Sequence, residues 1–354
     1  MTDPPGRPSA PTMRDVAGAA GVSTALVSIV FRGVPGASDE TRARVLSVAK
    51  ELGYVQNRTA SMMKRSRTRH LGVAMNVRNA FHGEMVEGIQ AAAQDAGYEI
   101  VLSGITQSHP ELRAVETLTE FRCESLILLG CDLPTSELRV VSKRVPVVLI
   151  GRRVRLDAVD IVRSADHRGM ALLVDHLVGL GHTAIAHVDG GDHPIAAERG
   201  RGYRAAMRRH GLAPVTRVQA GGGTEQDGQR AADRLLALDV LPTAVSAFND
   251  HCALGIIDAL TKAGVRVPED CSVTGYDNSS FAELATVNLT TVSQEASVLA
   301  ETAVRTAIAR IENPGADPTD TVLQPRLMVR GSSGPARADQ VGADQGVRRS
   351  ISKV

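Results

Sequence analysis

Aromatic residues and cysteines are scarce in this 354-residue chain, and long apolar runs are missing from it. It has no tryptophan, and its aromatic residues are five Phe and four Tyr. Cys123, Cys131, Cys252 and Cys271 show no CxxC spacing, so we expect buried free thiols rather than disulfides or zinc ligands. No apolar stretch approaches the roughly twenty residues that span a bilayer, and the proline-rich start lacks the apolar segment of a secretion signal. These absences predict a globular protein of the cytoplasm that makes no contact with membranes.

Motifs for catalysis and for metal binding are also missing. The ten histidines form no HExxH or similar spacing, and no serine lies in GxSxG. Two glycine clusters, Gly190-Gly191 and 221–223, complete neither GxGxxG nor GxxxxGK with a following Ser or Thr. We therefore expect no metal, no cofactor and no enzymatic activity, and we interpret His176 and His182 as structural residues near a helix end.

The charge is divided unevenly along the chain. Residues 1–69 contain eleven Lys/Arg and five Asp/Glu, a net charge of +6, whereas the whole chain carries only +1. A basic head on a slightly acidic body is typical of a domain that binds nucleic-acid phosphates. The length predicts about two to three domains, and a hydrophobic fraction of 43% is enough to build their cores.

The basic head contains the pattern of short helices joined by a glycine turn. Thr12 and Asp15 have the spacing of a capping box and predict a helix up to Ala20. Gly21 then turns the chain, and Ser23 is placed to cap a second helix. In that helix one stripe of apolar residues is expected to be buried, and the opposite face can contact base edges. The stripe is Leu26, Val27, Val30 and Phe31, and the opposite face is Thr24, Ala25, Ser28 and Ile29.

A third helix is expected to begin after Ser38. Ser38 is its N-cap, Asp39 and Glu40 lie in the first turn, where the helix dipole favours acids, and Gly53 ends it. Its apolar stripe is Val45, Val48, Ala49 and Leu52. Two helices joined by a tight turn and braced by a third predict a helix-turn-helix, whose second helix enters the major groove of DNA. The alternative is a three-helix bundle of another kind, but the charge of the head favours DNA binding.

From His70 onward, apolar runs alternate with helical stretches. The first set is Leu71–Val77, 82–96, Tyr98–Gly104, 110–121, Ser125–Gly130 and Val145–Ile150, and a second set runs from Ala184 to Tyr276 before a return helix at Gln294–Ile311. Such alternation predicts parallel sheets with helices on both faces. The strands are too many for one sheet, so we expect two Rossmann-like lobes with a ligand cleft at the carboxyl ends of their strands.

Several motifs of the head resemble the lactose-repressor (LacI/GalR) family. They are Thr12-Met13-Arg14-Asp15-Val16-Ala17, Ala20-Gly21-Val22-Ser23, Val27-Ser28, Glu51-Leu52-Gly53-Tyr54, Asn57-Arg58 and Ala60. The resemblance continues to about Arg330 and covers nearly all of the chain except both tails. It implies a sequence-specific transcriptional regulator, a repressor whose DNA binding is controlled allosterically by a small molecule.

The same resemblance implies a helix-turn-helix head and a hinge helix, followed by a periplasmic-binding-protein-like α/β core of two Rossmann-like lobes. The expected segments are a flexible N-terminus 1–11, the DNA-binding domain 12–56, the hinge helix and linker 57–69, the effector-binding core 70–331 and a flexible tail 332–354. The N-terminal lobe is expected at 70–163 plus 292–322, and the C-terminal lobe at 164–291 plus 323–331. The tail has no leucine heptads, so we expect a homodimer, with helices near His82–Ala96 and His251–Gly264 at its interface.

In the family, the second helix reads a pseudo-palindromic operator and the hinge enters the minor groove. The residues expected to contact bases are Thr24, Ala25 and Ile29, those expected to position phosphates are Thr12, Ser23, Ser28 and Arg32, and those expected in the hinge are Asn57, Arg58, Ala60 and Met63. Met63 stands where relatives wedge a leucine between base pairs, although Met62 and Met63 could instead cover the edge of the core. Ile29 and Arg32 replace the arginine and asparagine of many relatives, so the operator preference of those relatives does not transfer.

The effector is expected between the lobes. The residues placed there by the resemblance, or standing close to a matching position, are Phe81, His82, Asp166, His193, Arg199, Asn249 and Asp277. Asp166 marks a departure, because the usual aspartate one position earlier is Ala165; Asp166 is either a ligand group or a helix N-cap. Phe81 could also be a core residue, and Asp250 is interpreted as an anchor at a helix start.

The chemistry of this set favours a neutral ligand with many hydroxyl groups. An arginine, an asparagine and one or two aspartates can bind hydroxyls, and an aromatic face can stack on a sugar ring. We therefore expect a small sugar or polyol. Closing of the cleft would rotate the N-terminal lobes of the dimer and change the spacing of the hinges, a coupling typically of about 1–3 kcal/mol.

Overall fold

The computed structural model describes residues 11–54 and 67–337. The chain divides between Thr68 and Arg69 into two compact units; the described part of the first is helical and that of the second is α/β. Four residues predicted for the hinge lie outside the described residues: Asn57, Arg58, Ala60 and Met63.

The first unit contains α1 (Met13–Ala20), α2 (Thr24–Arg32) and α3 (Asp39–Glu51). Each helix begins at the cap that the sequence predicted. Thr12 and Asp15 form the reciprocal capping box. The hydroxyls of Ser23 and Ser38 accept hydrogen bonds from the third backbone N–H that follows each of them, at 3.2 and 3.3 Å. Local side-chain chemistry therefore decides where these helices start.

The three helices pack on a small apolar core. Its fully buried members are Val16, Ala17, Ala20, Val27, Val30, Val45 and Ala49. The Tyr54 ring meets the edge of Phe31, with ring centroids 5.4 Å apart. Leu52, predicted for the buried stripe of α3, is 39% exposed. That prediction was wrong because α3 ends at Glu51, and the turn that follows places Tyr54 rather than Leu52 against the core.

The second unit alternates strands and helices. In chain order the elements are β1 (His70–Asn76), α4 (Ala80–Asp95), β2 (Glu99–Ile105), α5 (Glu111–Glu120), β3 (Ser125–Leu129), α6 (Thr135–Ser142), β4 (Val147–Ile150), β5 (Val159–Ser164), α7 (Asp166–Gly179), β6 (Ile185–Val188), α8 (Ala196–Arg209), β7 (Arg217–Gln219), α9 (Glu225–Leu236), β8 (Ala244–Ser246), α10 (Asp250–Lys262), β9 (Ser272–Thr274), β10 (Thr291–Ser293), α11 (Ala296–Glu312), β11 (Asp320–Leu323) and β12 (Arg326–Met328).

Two parallel sheets form the two lobes. The N-terminal lobe has the strand order β11-β5-β4-β3-β1-β2, and the C-terminal lobe has the order β7-β6-β8-β9. Strands β3 and β4 are buried along their whole length, as expected of a parallel sheet covered on both faces. In the N-terminal lobe α4 and α11 pack into one apolar cluster and α5 and α6 into another. In the C-terminal lobe the corresponding pairs are α9 with α10 and α7 with α8.

The chain crosses between the lobes in three places, after β5, after β10 and after β11. Strands β10 and β12 pair antiparallel next to the crossovers. Glu295, in the second crossover, has a left-handed backbone with φ of 57°. Its carboxylate holds the Arg326 guanidinium by two hydrogen bonds of 2.9 and 2.5 Å. The second crossover is therefore tied to β12, the strand that follows the third crossover.

The start of the expected flexible tail is bound to the C-terminal lobe, so for these residues the prediction was wrong. The Ser332 carbonyl accepts a hydrogen bond from the Val273 N–H at 2.8 Å, and the Ser332 N–H donates to the Asn288 carbonyl at 2.9 Å. His176 and His182 bond to Ser333 and Gly334, both at 2.9 Å. The segment continues the hydrogen bonding at the edge of β9, which its polar composition did not reveal. Residues 338–354 lie outside the described part.

Candidate effector cleft and DNA-reading helix

A cavity lies between the lobes, at the carboxyl ends of several strands. Six of the seven predicted effector residues line it: Phe81, His82, His193, Arg199, Asn249 and Asp277. The seventh, Asp166, lies behind the wall and contacts Arg199. Residues from three helices and several loops are thus brought together, although they are spread from position 81 to position 277 of the sequence.

Arg199 is the centre of this site and is fully buried. Its Nε donates to Asp166 Oδ1 at 2.8 Å, one terminal nitrogen donates to the Phe248 carbonyl at 2.6 Å, and the other donates to Asp277 Oδ1 at 3.4 Å. The guanidinium carbon lies 3.7 Å from the centre of the Tyr276 ring and 4.8 Å from that of Phe248. Burial opposes the charge, but the two carboxylates outweigh it and raise the pKa of Arg199 above its usual value.

Asp166 is the first residue of α7, and its side chain is almost completely buried. The N-cap of that helix is Ala165, which makes no side-chain cap bond. The N-cap alternative for Asp166 was therefore wrong. A buried guanidinium requires a compensating carboxylate, and Asp166 supplies it.

Asp277 follows β9 with a φ of 117°, an unfavourable backbone conformation for a residue with a side chain. Its Oδ1 also accepts a hydrogen bond from Gln294 Nε2 at 2.7 Å. Burial raises the pKa of Asp277 to about 6, against the opposing effect of Arg199. A strained, buried carboxylate at the end of a strand is a feature that clusters at functional sites.

Asp250 begins α10 directly behind Asp277. It accepts hydrogen bonds from the Ser279 N–H at 2.7 Å and from the Thr291 hydroxyl at 2.5 Å. Burial, together with the charge of Asp277, raises the pKa of Asp250 to about 7. These bonds agree with the role of a helix-start anchor and leave Asp250 outside the cavity lining.

Two imidazoles face the cavity from opposite lobes. His82 Nδ1 accepts a hydrogen bond from the Asn76 N–H at 3.2 Å, so the proton is assigned to Nε2, which can donate to a ligand. The His193 ring packs on Phe248 with centroids 5.0 Å apart. Burial lowers the pKa of each imidazole to about 4, so both are neutral at physiological pH.

Phe81 and Asn249 both line the cavity and also have a structural role. Phe81 is 7% exposed, lines the cavity and also belongs to the core of the N-terminal lobe. The Asn249 side chain caps α10 by accepting from the Cys252 N–H at 2.9 Å, and its amide donates to the Gly223 carbonyl at 3.0 Å. One N–H of that amide is left for a ligand.

Gln294 and Phe248 were not predicted as site residues. Gln294 comes directly after β10 in a crossover, and Phe248 comes two residues after the end of β8. Position at the carboxyl end of a strand could have indicated both. The stacking of Phe248 on Arg199 could not be inferred from the sequence, because the two residues are 49 positions apart.

In the first unit, the face of α2 expected to read DNA is accessible. Thr24 and Ala25 are exposed, and Ser28 and Ile29 are partly exposed. The Ile29 side chain packs over Gly36, in the loop before α3. Thr12 and Ser23 use their hydroxyls as helix caps, and Arg32 is the last residue of α2.

The four cysteines are buried and free, as predicted. Within residues 11–54 and 67–337, no group of three or more His, Cys, Asp or Glu side chains is placed to hold a metal ion. In the same ranges no single helix is long and apolar enough to cross a membrane; α1 and α2 meet the criterion only as a pair, and they are bent by 105°.

The chain matches known families in both of its units. Residues 12–57 match "Bacterial regulatory proteins, lacI family", and residues 174–333 match "Periplasmic binding protein-like domain". The ribose operon repressor of Escherichia coli strain K12 is 34% identical over 328 residues, which cover 91% of this chain and 99% of that protein. The HTH-type transcriptional regulator DegA of Bacillus subtilis strain 168 is 33% identical and is covered to 98%, with 92% of this chain aligned.

Solved structures give the same result. A LacI transcriptional regulator from a Rhodococcus species is 45% identical, with a TM-score of 0.74 over 75% of this chain and 99% of that one. The lac repressor dimer bound to operator and the anti-inducer ONPF is 27% identical, with a TM-score of 0.77 over 92% and 99%. A LacI family regulator from Enterococcus faecium with bound ribose is 26% identical, with a TM-score of 0.69 over 76% and 100%. This chain belongs to the lacI family of bacterial regulatory proteins, and it is a transcriptional regulator with a helix-turn-helix head and a periplasmic-binding-protein-like core.

Proposed function

We propose that this regulator is a repressor that binds a small neutral sugar or polyol in the cavity around Arg199 and, as a homodimer, reads a pseudo-palindromic operator. The observation that carries the proposal is the buried Arg199 held between Asp166 and Asp277 beside an aromatic ring. The ribose repressor among its relatives and the ribose bound in a related structure support a sugar. The relatives are regulators, and we assign no catalysed reaction to the chain.

The charges of the cavity favour a neutral ligand. Arg199 is the only Lys or Arg among the described residues that line it, and two carboxylates already compensate its charge. His82 and His193 are neutral at pH 7 because burial lowers their pKa. An anionic group would find no uncompensated cation there, whereas hydroxyls can bind the second oxygen of Asp277, the Asn249 amide and His82.

Lobe closure is the step that couples this cavity to DNA. We divide the core as the sequence indicated, into 70–163 plus 292–322 and 164–291 plus 323–331. A ligand that contacts Phe81 in one lobe and Asp277 in the other favours the closed spacing of the lobes. In a dimer with α4 and α10 at its interface, this spacing sets the distance between the two hinge segments 57–69.

The contacts with DNA are assigned to the head and the hinge. Thr24, Ala25 and Ile29 face base edges, and phosphates are positioned by Thr12, Ser23, Ser28 and Arg32. The exposure of Thr24 and Ala25 on α2 supports this assignment. Asn57, Arg58, Ala60 and Met63 are assigned to the minor groove, where Met63 would act as an apolar wedge.

The test combines a thermal-shift screen of sugars, polyols and nucleobases with binding of duplexes from the regulator's own genome. Phe81→Ala and Asp277→Ala should abolish the response to the hit and keep DNA binding in its absence. Phe121→Ala is a matched control for the first, because Phe121 is 60% exposed and lies outside the cavity lining. Normal responses in both cavity variants would contradict the site assignment.

The hinge is tested separately. Met63→Asp should weaken operator binding without changing the thermal unfolding of the core, because a charged side chain cannot wedge between base pairs. An equal loss of both properties would make Met63 a folding residue. A protein that binds no duplex at low ionic strength would refute the repressor assignment as a whole.

A further inference from the structure

A second cavity lies between the lobes next to the Arg199 cleft, with Ile195 in the lining of both, and it is lined by four arginines. We call it the seam cavity. The residues of its lining that matter here are Arg152, Arg153, Arg163, Ile195, Glu198 and Arg201. The four arginines face a single glutamate. This concentration of positive charge stands out because residues 70–354 carry about five more acids than bases.

Both lobes contribute to the seam cavity. Arg152 and Arg153 follow β4, and Arg163 lies in β5, so these three belong to the N-terminal lobe. Ile195 precedes α8, and Arg201 lies in its second turn, so both belong to the C-terminal lobe. A ligand in the cavity would therefore touch both lobes at once.

Only some of these arginines are paired with carboxylates of the protein. Arg163 is held by Asp320 through two hydrogen bonds of 2.8 and 3.1 Å and lies 3.7 Å from Glu198, and Arg153 reaches the Asp320 carboxylate at 3.4 Å. A terminal nitrogen of Arg152 donates to the Leu133 carbonyl. Arg201 is exposed and has no carboxylate within 4.0 Å among the described residues. The Nε of Arg152 is buried and has no hydrogen-bond partner in the same part of the chain. A buried donor without a partner costs stability, which a ligand acceptor would recover.

The start of α8 adds to the positive potential of the seam cavity. The helix begins at Ala196 after Ile195, and no side chain caps its N-terminus. Ile195 and Ala197 line the seam cavity, so the positive end of a 14-residue helix lies beside the arginines. The N–H groups of Ala196 and Glu198 already donate to the His193 and Ile195 carbonyls, so the helix start contributes its dipole and the guanidinium groups are the donors for phosphate oxygens.

We propose that the seam cavity is a second ligand site, which binds a small phosphate-bearing anion across the two lobes. The donors are Arg201 on one side and Arg152 and Arg153 on the other. Neutral sugars are poor candidates, because each arginine left without an anion would have to be desolvated. Because the anion holds both lobes, it would favour one spacing of the lobes and so change the affinity of the Arg199 cleft; this last step rests on the proposed function.

Binding is tested on the full chain with pyrophosphate as the probe, by calorimetry and by thermal shift, against sodium chloride of the same ionic strength. We expect pyrophosphate to raise the unfolding temperature above that in chloride. Arg201→Gln should weaken pyrophosphate binding about tenfold, since one charge-assisted hydrogen bond is lost. Arg208→Gln is the matched control: it removes the same charge from the same exposed face of α8, outside the seam cavity, and should leave the affinity unchanged.

Three results would overturn the proposal. The first is a pyrophosphate effect no larger than that of chloride, and the second is an equal loss in the Arg201 and Arg208 variants, which would show unspecific attraction. The third is a shallower salt dependence of duplex binding in Arg201→Gln, which would make the arginines a DNA contact. Asp277→Ala separates the two sites: it should keep pyrophosphate binding whether or not the Arg199 cleft binds a sugar.

Discussion

Removing the carboxylate of Asp166 should destabilise the core far more than removing an equally well-bonded carboxylate at the surface. Asp166 and Arg199 have side-chain exposures of 2% and 1%, and their ion pair measures 2.8 Å. Asp166→Ala leaves a buried guanidinium with one carboxylate, Asp277, at 3.4 Å. Loss of one partner of a buried pair typically costs about 3–5 kcal/mol, and we expect a loss of that size here.

Asp175→Ala is the matched control. Asp175 is 45% exposed and bonds to Arg209 and, at 2.6 Å, to His210. Because water screens such pairs, its removal should cost less than about 1 kcal/mol. For a core of roughly 270 residues, the entropy of unfolding converts these losses to a fall in Tm of about 5–9 °C for Asp166→Ala and less than about 2 °C for Asp175→Ala.

Calorimetry of the full chain measures both changes, and NMR titration gives an independent check. Burial is the main cause of the raised pKa of Asp277, and the charge of Asp166 adds to it. In Asp166→Ala the pKa of Asp277 should therefore fall below its value of about 6 in the unaltered chain. Equal destabilisation by the two alanine variants would refute the conclusion that the buried Arg199–Asp166 ion pair stabilises this wall of the cavity.

Three smaller predictions follow from local geometry. Gly169→Ala should lower the Tm and weaken effector binding, because its methyl group would lie 2.8 Å from Tyr276 ring carbons. The control is Gly179→Ala at the open end of the same helix, which should be neutral or stabilise the protein by up to about 1 kcal/mol. Similar effects of the two substitutions would contradict the packing argument. Acidification from pH 7.5 to 5 should lower the Tm of the core. Burial lowers the pKa of His187 to about 4, so the unfolded chain binds protons first below about pH 6.5 and the stability present above that pH is lost towards pH 4; a Tm profile of His187→Phe that is as steep as the parent's would argue against this origin. Ser23→Ala should destabilise the head by about 1 kcal/mol through loss of the α2 cap, which amide hydrogen exchange in α2 would detect as faster exchange; unchanged protection would show that the cap contributes little.

The features that the sequence predicted best depend on neighbouring residues. The caps of α1 to α3 are decided within three positions of Thr12, Ser23 and Ser38, and the buried strands β3 and β4 are continuous apolar runs. Alternation of such runs with helical stretches was enough to predict two parallel sheets. The order of the strands was not predictable in this way, since β11 lies beside β5 although about 160 residues separate them.

In the candidate site, too, features decided by neighbouring residues could be predicted and features decided by distant residues could not. Its residues at strand ends, such as Asn249 and Asp277, could be assigned from their positions and the family resemblance. The role of Asp166 could not, because the ligand and N-cap alternatives both rest on local pattern, whereas its observed partner Arg199 is 33 residues away. The exposure of Leu52 after the end of α3 and the binding of Ser332 to β9 likewise depend on tertiary contacts.

The one-position shift from the family pattern, Ala165-Asp166, has a consequence for what the effector cavity can recognise. The N-cap position is occupied by Ala165, and the Asp166 carboxylate is bound to Arg199. Asp277 therefore remains the only aspartate or glutamate among the described residues that line the cavity, and its first oxygen already accepts from Arg199 and Gln294. The second oxygen is left to accept hydroxyl protons of a ligand, and Gln294 stands in a crossover between the lobes. A hydroxyl that binds Asp277 thus shares the carboxylate that holds Gln294. Recognition of the ligand is thereby linked to the segment that must move when the lobes change their spacing.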